Sequence, residues 1–171
     1  MSDAVAYLSV GSNIGPERHV PAALAALCAV VDVTGVSTHY RTEPLGAAIS
    51  REVFLNGVWR FESSLPLDSV RRLLRSIESR EGRIRGPDRN APRTLDLDLL
   101  LWGATVDREA GIPDGDVLTR PFLYHPLIEL DPRLLWPTNG RPLRDMPPPV
   151  PLAAMEPDWE MTERLRGLID G

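Results

Sequence analysis

The sequence predicts an α+β domain in which a four-stranded antiparallel sheet carries its helices on one face. Strand-like and helix-like patterning alternate in the order strand, helix, strand, strand, helix, strand, the split βαβ arrangement. Helices joined to such a sheet settle on one of its faces, which leaves the other face and its loops free for a ligand. A chain of 171 residues holds one full hydrophobic core, not comfortably two.

Each element has its own signal. Ala4 to Val10 alternates and runs into the turn Gly11-Ser12-Asn13. An Ala-rich helical pattern extends from about Pro16 to Val30, with Pro21 tolerable only near its start. A strand is expected from about Val36 to Arg41, followed by the loop TEPLGAAISRE. Val53 to Glu62 reads as the next strand, with Phe54, Asn56, Val58 and Arg60 on one face and Leu55, Gly57, Trp59 and Phe61 on the other. Leu67, Val70, Leu73, Leu74 and Ile77 mark one side of a helix opened by Pro66 and closed near Gly82. Leu95 to Trp102, bounded by Pro92 and Gly103, is the fourth strand.

Beyond Gly103 the patterning weakens. Residues 104–118 read as an irregular acidic connection, and RPFLYHPLIEL as one or two short helical turns. After the proline run MPPPVPL, a last helix is expected from about Asp158 to Ile169, with Met161, Leu165, Leu168 and Ile169 on its apolar side. Residues 1–145 then form the main body, and 146–171 an extension belonging to the same domain.

Composition narrows the function. The formal net charge of −5 provides no global attraction for nucleic acid. All 19 basic side chains are arginine, which excludes a P-loop lysine, a protein-kinase-type lysine and Schiff-base chemistry. The single cysteine, Cys28, excludes an intrachain disulfide and a cysteine-based zinc site, and fits a reducing cytoplasm. Neither a signal peptide nor an apolar run of membrane-spanning length is read, so an intracellular protein without membrane contact is expected.

The segment APRTLDLDLLLWG carries the chemistry. In a strand, Asp96 and Asp98 point the same way, roughly 6.5–7 Å apart, while Leu95, Leu97, Leu99 and Leu101 point into a core. Two such carboxylates repel, and burial raises their pKa values unless a cation neutralises them. Magnesium, bound by oxygen ligands alone, resolves the conflict. Immediately upstream, Arg83, Arg85, Arg89 and Arg93 occupy a loop rich in Gly and Pro. Metal-binding carboxylates beside a loop of guanidinium groups are the arrangement expected around a polyphosphate.

From about Ala4 to Pro137 the chain resembles the 6-hydroxymethyl-7,8-dihydropterin pyrophosphokinase family of folate biosynthesis. YLSVGSNIG, YRTEPLG, FLN, the E-x-x-x-G-R-x-R segment and PRTLDLDLLLWG carry the resemblance, in that order and spacing, with a weaker match in RPFLYHPLIELDP. It implies the ferredoxin-like fold and transfer of the terminal diphosphate of ATP to the hydroxymethyl oxygen of the pterin, releasing AMP. By that resemblance Asp96 and Asp98 hold two magnesium ions, and Arg83 and Arg93 engage the phosphates during transfer. Glu78, Arg85, Arg89 and Arg120 complete the nucleotide side. On the pterin side, Phe54 and Phe122 match two sandwiching rings, Asn56 the amide reading the heterocycle's edge, and Thr42, Pro44 and Leu45 the closing loop. A monomer is expected.

The sequence departs from the family pattern twice. Asn90-Ala91 stands where a Trp-Gly pair is usual, and Asp114 follows Pro113 where a histidine near the ATP is usual. Two alternatives therefore stand beside the pyrophosphokinase reading. One is a divergent paralogue that transfers diphosphate to another hydroxymethyl heterocycle; the other is a non-catalytic pterin- or nucleotide-binding homologue.

Overall fold

A computed structural model describes residues 2–42, 53–88, 91–150 and 155–171. In chain order the elements are β1 (Ala4–Ser12), α1 (Pro16–Cys28), β2 (Asp32–Val36), β3 (Tyr40–Thr42), β4 (Phe54–Ser63), α2 (Leu67–Arg80), β5 (Asp96–Trp102), α3 (Pro121–Leu130), β6 (Met155–Pro157) and α4 (Trp159–Ile169). All pairings are antiparallel, in the order β5-β1-β4-β3-β6, with β2 also on β4. The mixed α+β class and the antiparallel sheet agree with the sequence reading. The strand count does not, for the described residues form six strands in place of the expected four.

The difference arises at the strand expected from Val36 to Arg41. Here β2 pairs with the later half of β4 (Val36 opposite Trp59) and β3 with its beginning (Tyr40 opposite Asn56). Between them the Ser37 hydroxyl, not a backbone carbonyl, accepts the Val58 N–H at 2.9 Å. The His39 N–H leaves the ladder as well, donating to the Thr162 hydroxyl at 2.9 Å. Side chains thus satisfy the backbone groups that a continuous strand would have paired. The sixth strand, β6, extends the edge, with Arg41 opposite Glu156.

One face of the sheet follows the expectation. Leu8, Val10, Leu55, Trp59, Leu97 and Leu99 pack there against Leu24 and Leu27 of α1, Leu74 and Ile77 of α2, and Met161 and Leu165 of α4. Helix α1 ends at Cys28, two residues short of Val30, which is exposed. On α4, Leu168 is exposed, so the apolar side of that helix is narrower than read.

The other face corrects the one-sided picture. Within RPFLYHPLIEL, Pro121–Leu130 forms the ten-residue α3, not short turns, and covers part of this face. A helix apolar nearly all round its axis is stable only when buried, and Tyr7, Val58, Leu100 and Leu101 supply the surface that buries it. Leu101 is therefore on the opposite side from its expected position. The register shifts between Tyr7 and Leu8, with Tyr7 opposite Leu101 but Leu8 opposite Leu99, and that bulge turns Leu101 over. Past the edge of this second core, the same face carries Ser9, Gly11, Phe54, Asn56, Asp96 and Asp98.

Candidate active site

Strand register builds the site. Gly11 of β1 lies opposite Asn56 of β4 on one side and Asp96 of β5 on the other, so the three form a row across the sheet. Asp98 lies opposite Ser9, one step along. A Cβ added to Gly11 would stand 3.1 Å from the Asn56 Oδ1 and 3.9 Å from the Asp96 Cβ. Gly11 thus keeps the floor between amide and carboxylate flat. The Asn56 amide donates to the buried Thr42 hydroxyl at 2.5 Å, and Thr42 is opposite Phe54. Thr42, Phe54 and Asn56 are thereby gathered at one end of the row.

Arginines gather at the other end. Arg83 Nη1 donates to Asp96 Oδ1 at 2.7 Å and Arg93 Nη1 to Asp96 Oδ2 at 2.8 Å. The Arg93 guanidinium also stands 5.9 Å from the Phe54 ring centre, within cation–π range, so it bridges the aromatic and acidic ends. Beneath this pair, the Glu78 side chain is only 3% exposed and receives Arg83 and Arg85, each at 3.2 Å. Burial pushes the Glu78 carboxyl up to about 7, against the pull of Arg85 and Arg83 and with the charges of Asp96 and Asp98 adding to the rise.

Asp98 has no arginine within ion-pair distance among the described residues. Desolvation by the surrounding protein, then the negative charges of Asp96 and Asp114, push its pKa up to about 6. Part of its surface still reaches solvent, so the neighbouring charges cannot be neglected beside desolvation. The site therefore holds unbalanced negative charge at Asp98. No group of three or more His, Cys, Asp or Glu side chains encloses a metal position among the described residues. Two carboxylates of this kind fit a hard divalent cation that completes its shell with water and phosphate oxygens.

Other expected residues stand apart. Phe122 is 8% exposed, in the second core, and makes no ring contact with Phe54. Arg120 pairs with Asp116 at 3.3 Å, not with the acidic row. Asp114 caps the short 3-10 turn Gly115–Leu118 by accepting the Asp116 N–H at 2.9 Å, and burial raises its pKa. Pro44, Leu45, Arg89 and Asn90 lie outside the described residues.

Sequence reasoning missed two contributors, Gly11 and Asn13, and a buried histidine at the β2–β3 break. Gly11 was read only as a turn residue, although its position before Ser12-Asn13 at the end of a strand was visible. Asn13 holds the Arg93 N–H with its side-chain oxygen at 2.7 Å, a contact across 80 positions with no local signal. His39 sits under Gly57 at the β2–β3 break, its Nδ1 2.9 Å from the Ser37 carbonyl and its Nε2 accepting from the Trp59 indole at 3.2 Å.

Comparison with known proteins agrees with this geometry. The sequence model of the 7,8-dihydro-6-hydroxymethylpterin-pyrophosphokinase family matches residues 7–132. A 2-amino-4-hydroxy-6-hydroxymethyldihydropteridine pyrophosphokinase of Pseudomonas aeruginosa is 35% identical over 88% of this chain and 94% of its own length. The enzyme of the same name from Bacillus subtilis is 37% identical over 74% of this chain and 77% of its own. The folic acid synthesis protein fol1 of Schizosaccharomyces pombe is 35% identical over 82% of this chain, which spans only 20% of that longer relative. With a match over most of its length, and the acidic strand and its arginines folded together, the chain belongs to the 7,8-dihydro-6-hydroxymethylpterin pyrophosphokinase family.

Proposed function

We propose that this protein transfers the terminal diphosphate of ATP to the hydroxymethyl oxygen of 6-hydroxymethyl-7,8-dihydropterin and releases AMP. The observation that carries the reading is the row Asn56–Gly11–Asp96 on the sheet face beyond α3, with Arg83 and Arg93 converging on Asp96. Asn56 and Thr42 offer hydrogen-bonding groups to the edge of a flat heterocycle, and Gly11 leaves room for it against the sheet. Phe54 supplies aromatic surface, and Phe122 is proposed as the second ring from the family resemblance alone.

At the acidic end we assign Mg2+, with two ions expected, to Asp96 and Asp98. When bound with the triphosphate, the metal neutralises phosphate oxygens around the attacked β-phosphorus. The protein's own part is placement and charge. Arg83 and Arg93 each hold Asp96 by one short contact, and the phosphates offer the same guanidinium groups a more highly charged partner. Glu78, buried beneath, keeps Arg83 and Arg85 aimed at this end. Arg89 is proposed on the nucleotide from its place in the arginine-rich loop, and Arg120 on the nucleotide and Pro44 and Leu45 on the pterin from the family resemblance alone.

The pairing of β6 with β3, and Met161 and Leu165 in the main core, support treating residues 146–171 as part of the same domain. No helix among the described residues is long and apolar enough to cross a membrane. The single cysteine supports a reducing compartment, and we place a monomeric enzyme in the cytoplasm.

Purified protein given ATP, magnesium and the hydroxymethyl pterin should release AMP in a pterin-dependent reaction. AMP release that ignores pterin, or none at all, would remove the assignment. Calorimetry with an ATP analogue and magnesium then tests the acceptor, and failure to bind the pterin would favour a different heterocycle.

A further inference from the structure

We propose that the turn between β1 and α1, together with the first turn of α1, is the positioning element for both phosphate-binding arginines, acting through Asn13 on Arg93 and through His19 on Arg83. The inference rests on the roles given above to those arginines and extends them to residues outside the row.

Arg93 is held by its backbone. The Asn13 Oδ1 accepts the Arg93 N–H at 2.7 Å, while the N–H groups of Asn13 and Ile14 donate to the Arg93 carbonyl at 3.1 and 3.2 Å. Three hydrogen bonds from one turn thus fix both backbone groups of one residue, and Asn13 is buried. Such a bracket sets where the Arg93 side chain begins, and the guanidinium then reaches Asp96 and the Phe54 ring.

Six residues later the first turn of α1 grips the other end of the arginine segment. The His19 Nδ1 lies 2.8 Å from the Glu81 Oε2, with side chains 15% and 18% exposed. Glu81 terminates α2, its N–H bonding the Ile77 carbonyl at 3.1 Å, and Arg83 follows two residues on, with its N–H on the Glu78 carbonyl at 3.1 Å. His19 is fixed in turn, since its N–H bonds the Gly15 carbonyl at 3.1 Å and its ring lies beside Gly15.

The two grips matter jointly because both guanidinium groups end on one carboxylate, Asp96. Convergence on a single small target depends on the relative position of the two segment ends, and displacements of about 1 Å at a reacting group can cost about a hundredfold in rate. The β1–α1 turn and the helical turn that continues from it touch both ends and fix that relative position.

The test uses Asn13→Ala, His19→Ala, Glu81→Ala and the His19→Ala/Glu81→Ala double variant in the full chain, with kcat, the pterin KM and the melting temperature measured for each. Each single variant should lower kcat by about tenfold or more, with the pterin KM within about threefold of the parent. The double variant should be no slower than its slower single parent, because both deletions break one contact. Melting temperatures that fall while kcat stays at the parent value would overturn the proposal, as would additive losses in the double variant. If the parent chain itself releases no pterin-dependent AMP, the pyrophosphokinase reading fails instead. If the parent is active and Asn13→Ala and His19→Ala match it, only the present inference fails.

Discussion

His39 makes stability depend on pH in a way that can be worked out from its surroundings. The ring is fully buried, with Nδ1 facing the Ser37 carbonyl and Nε2 accepting the Trp59 indole proton. A second proton would have to occupy Nε2 and confront that indole N–H. Burial accordingly lowers the pKa from 6.5 to about 4; Arg166 adds to the fall, while the Ser37 carbonyl and Asp158 resist it. The folded state therefore holds His39 neutral, and the unfolded chain takes up the proton first. The contribution is fully present above pH 6.5 and declines as pH falls toward 4, levelling off below it. Between about pH 7.5 and about pH 5 the linkage amounts to about 2 kcal/mol, approaching about 3 kcal/mol below pH 4.

The comparison is with His39→Phe, whose ring can fill the space under Gly57 without titrating. Urea unfolding of both proteins at the two pH values cancels every other titrating group in the difference. The parent should lose about 2 kcal/mol more than the variant on acidification. Stability curves that run parallel would refute the buried neutral imidazole. The variant should be weaker than the parent at neutral pH, since the Trp59 N–H loses its acceptor.

Three further outcomes follow from the site. Asp98→Ala should lower kcat by roughly a thousandfold while pterin binding survives in calorimetry, and chelation of divalent ions should mimic it; unimpaired turnover would contradict the metal role. Gly11→Val places side-chain atoms against the Asn56 Oδ1, so pterin affinity should fall by about tenfold or more with little change in melting temperature; unchanged affinity would place the heterocycle elsewhere. Glu78→Gln should match the parent rate below about pH 7, where the native carboxyl is protonated, and fall behind as pH rises and the carboxylate begins to hold Arg83 and Arg85; a constant ratio across pH would remove Glu78 from the network.

Much of the site was legible because it depends on local rules. Strand periodicity alone puts Asp96 and Asp98 on one face, and Phe54 and Asn56 on one face, and both pairs are found so. The order and spacing of the motifs carried the family. The second core was not legible, because RPFLYHPLIEL states that a helix there would be buried without stating against what. Nor was the break at Ser37–His39, where Thr162, 123 positions from His39, supplies the acceptor that lets the strand stop.

The sequence by itself determined the α+β class, the acidic strand and the chemistry its residues can perform, since each follows from residue type at short spacing. Only the tertiary structure decided that Gly11 joins Asn56 to Asp96 across three strands, that α3 covers part of the opposite face, and that Asn13 reaches Arg93 and His19 reaches Glu81. Those facts depend on register and on contacts between segments far apart in the chain. Energies of such contacts exist only once the backbone has brought the partners together, so no local pattern records them.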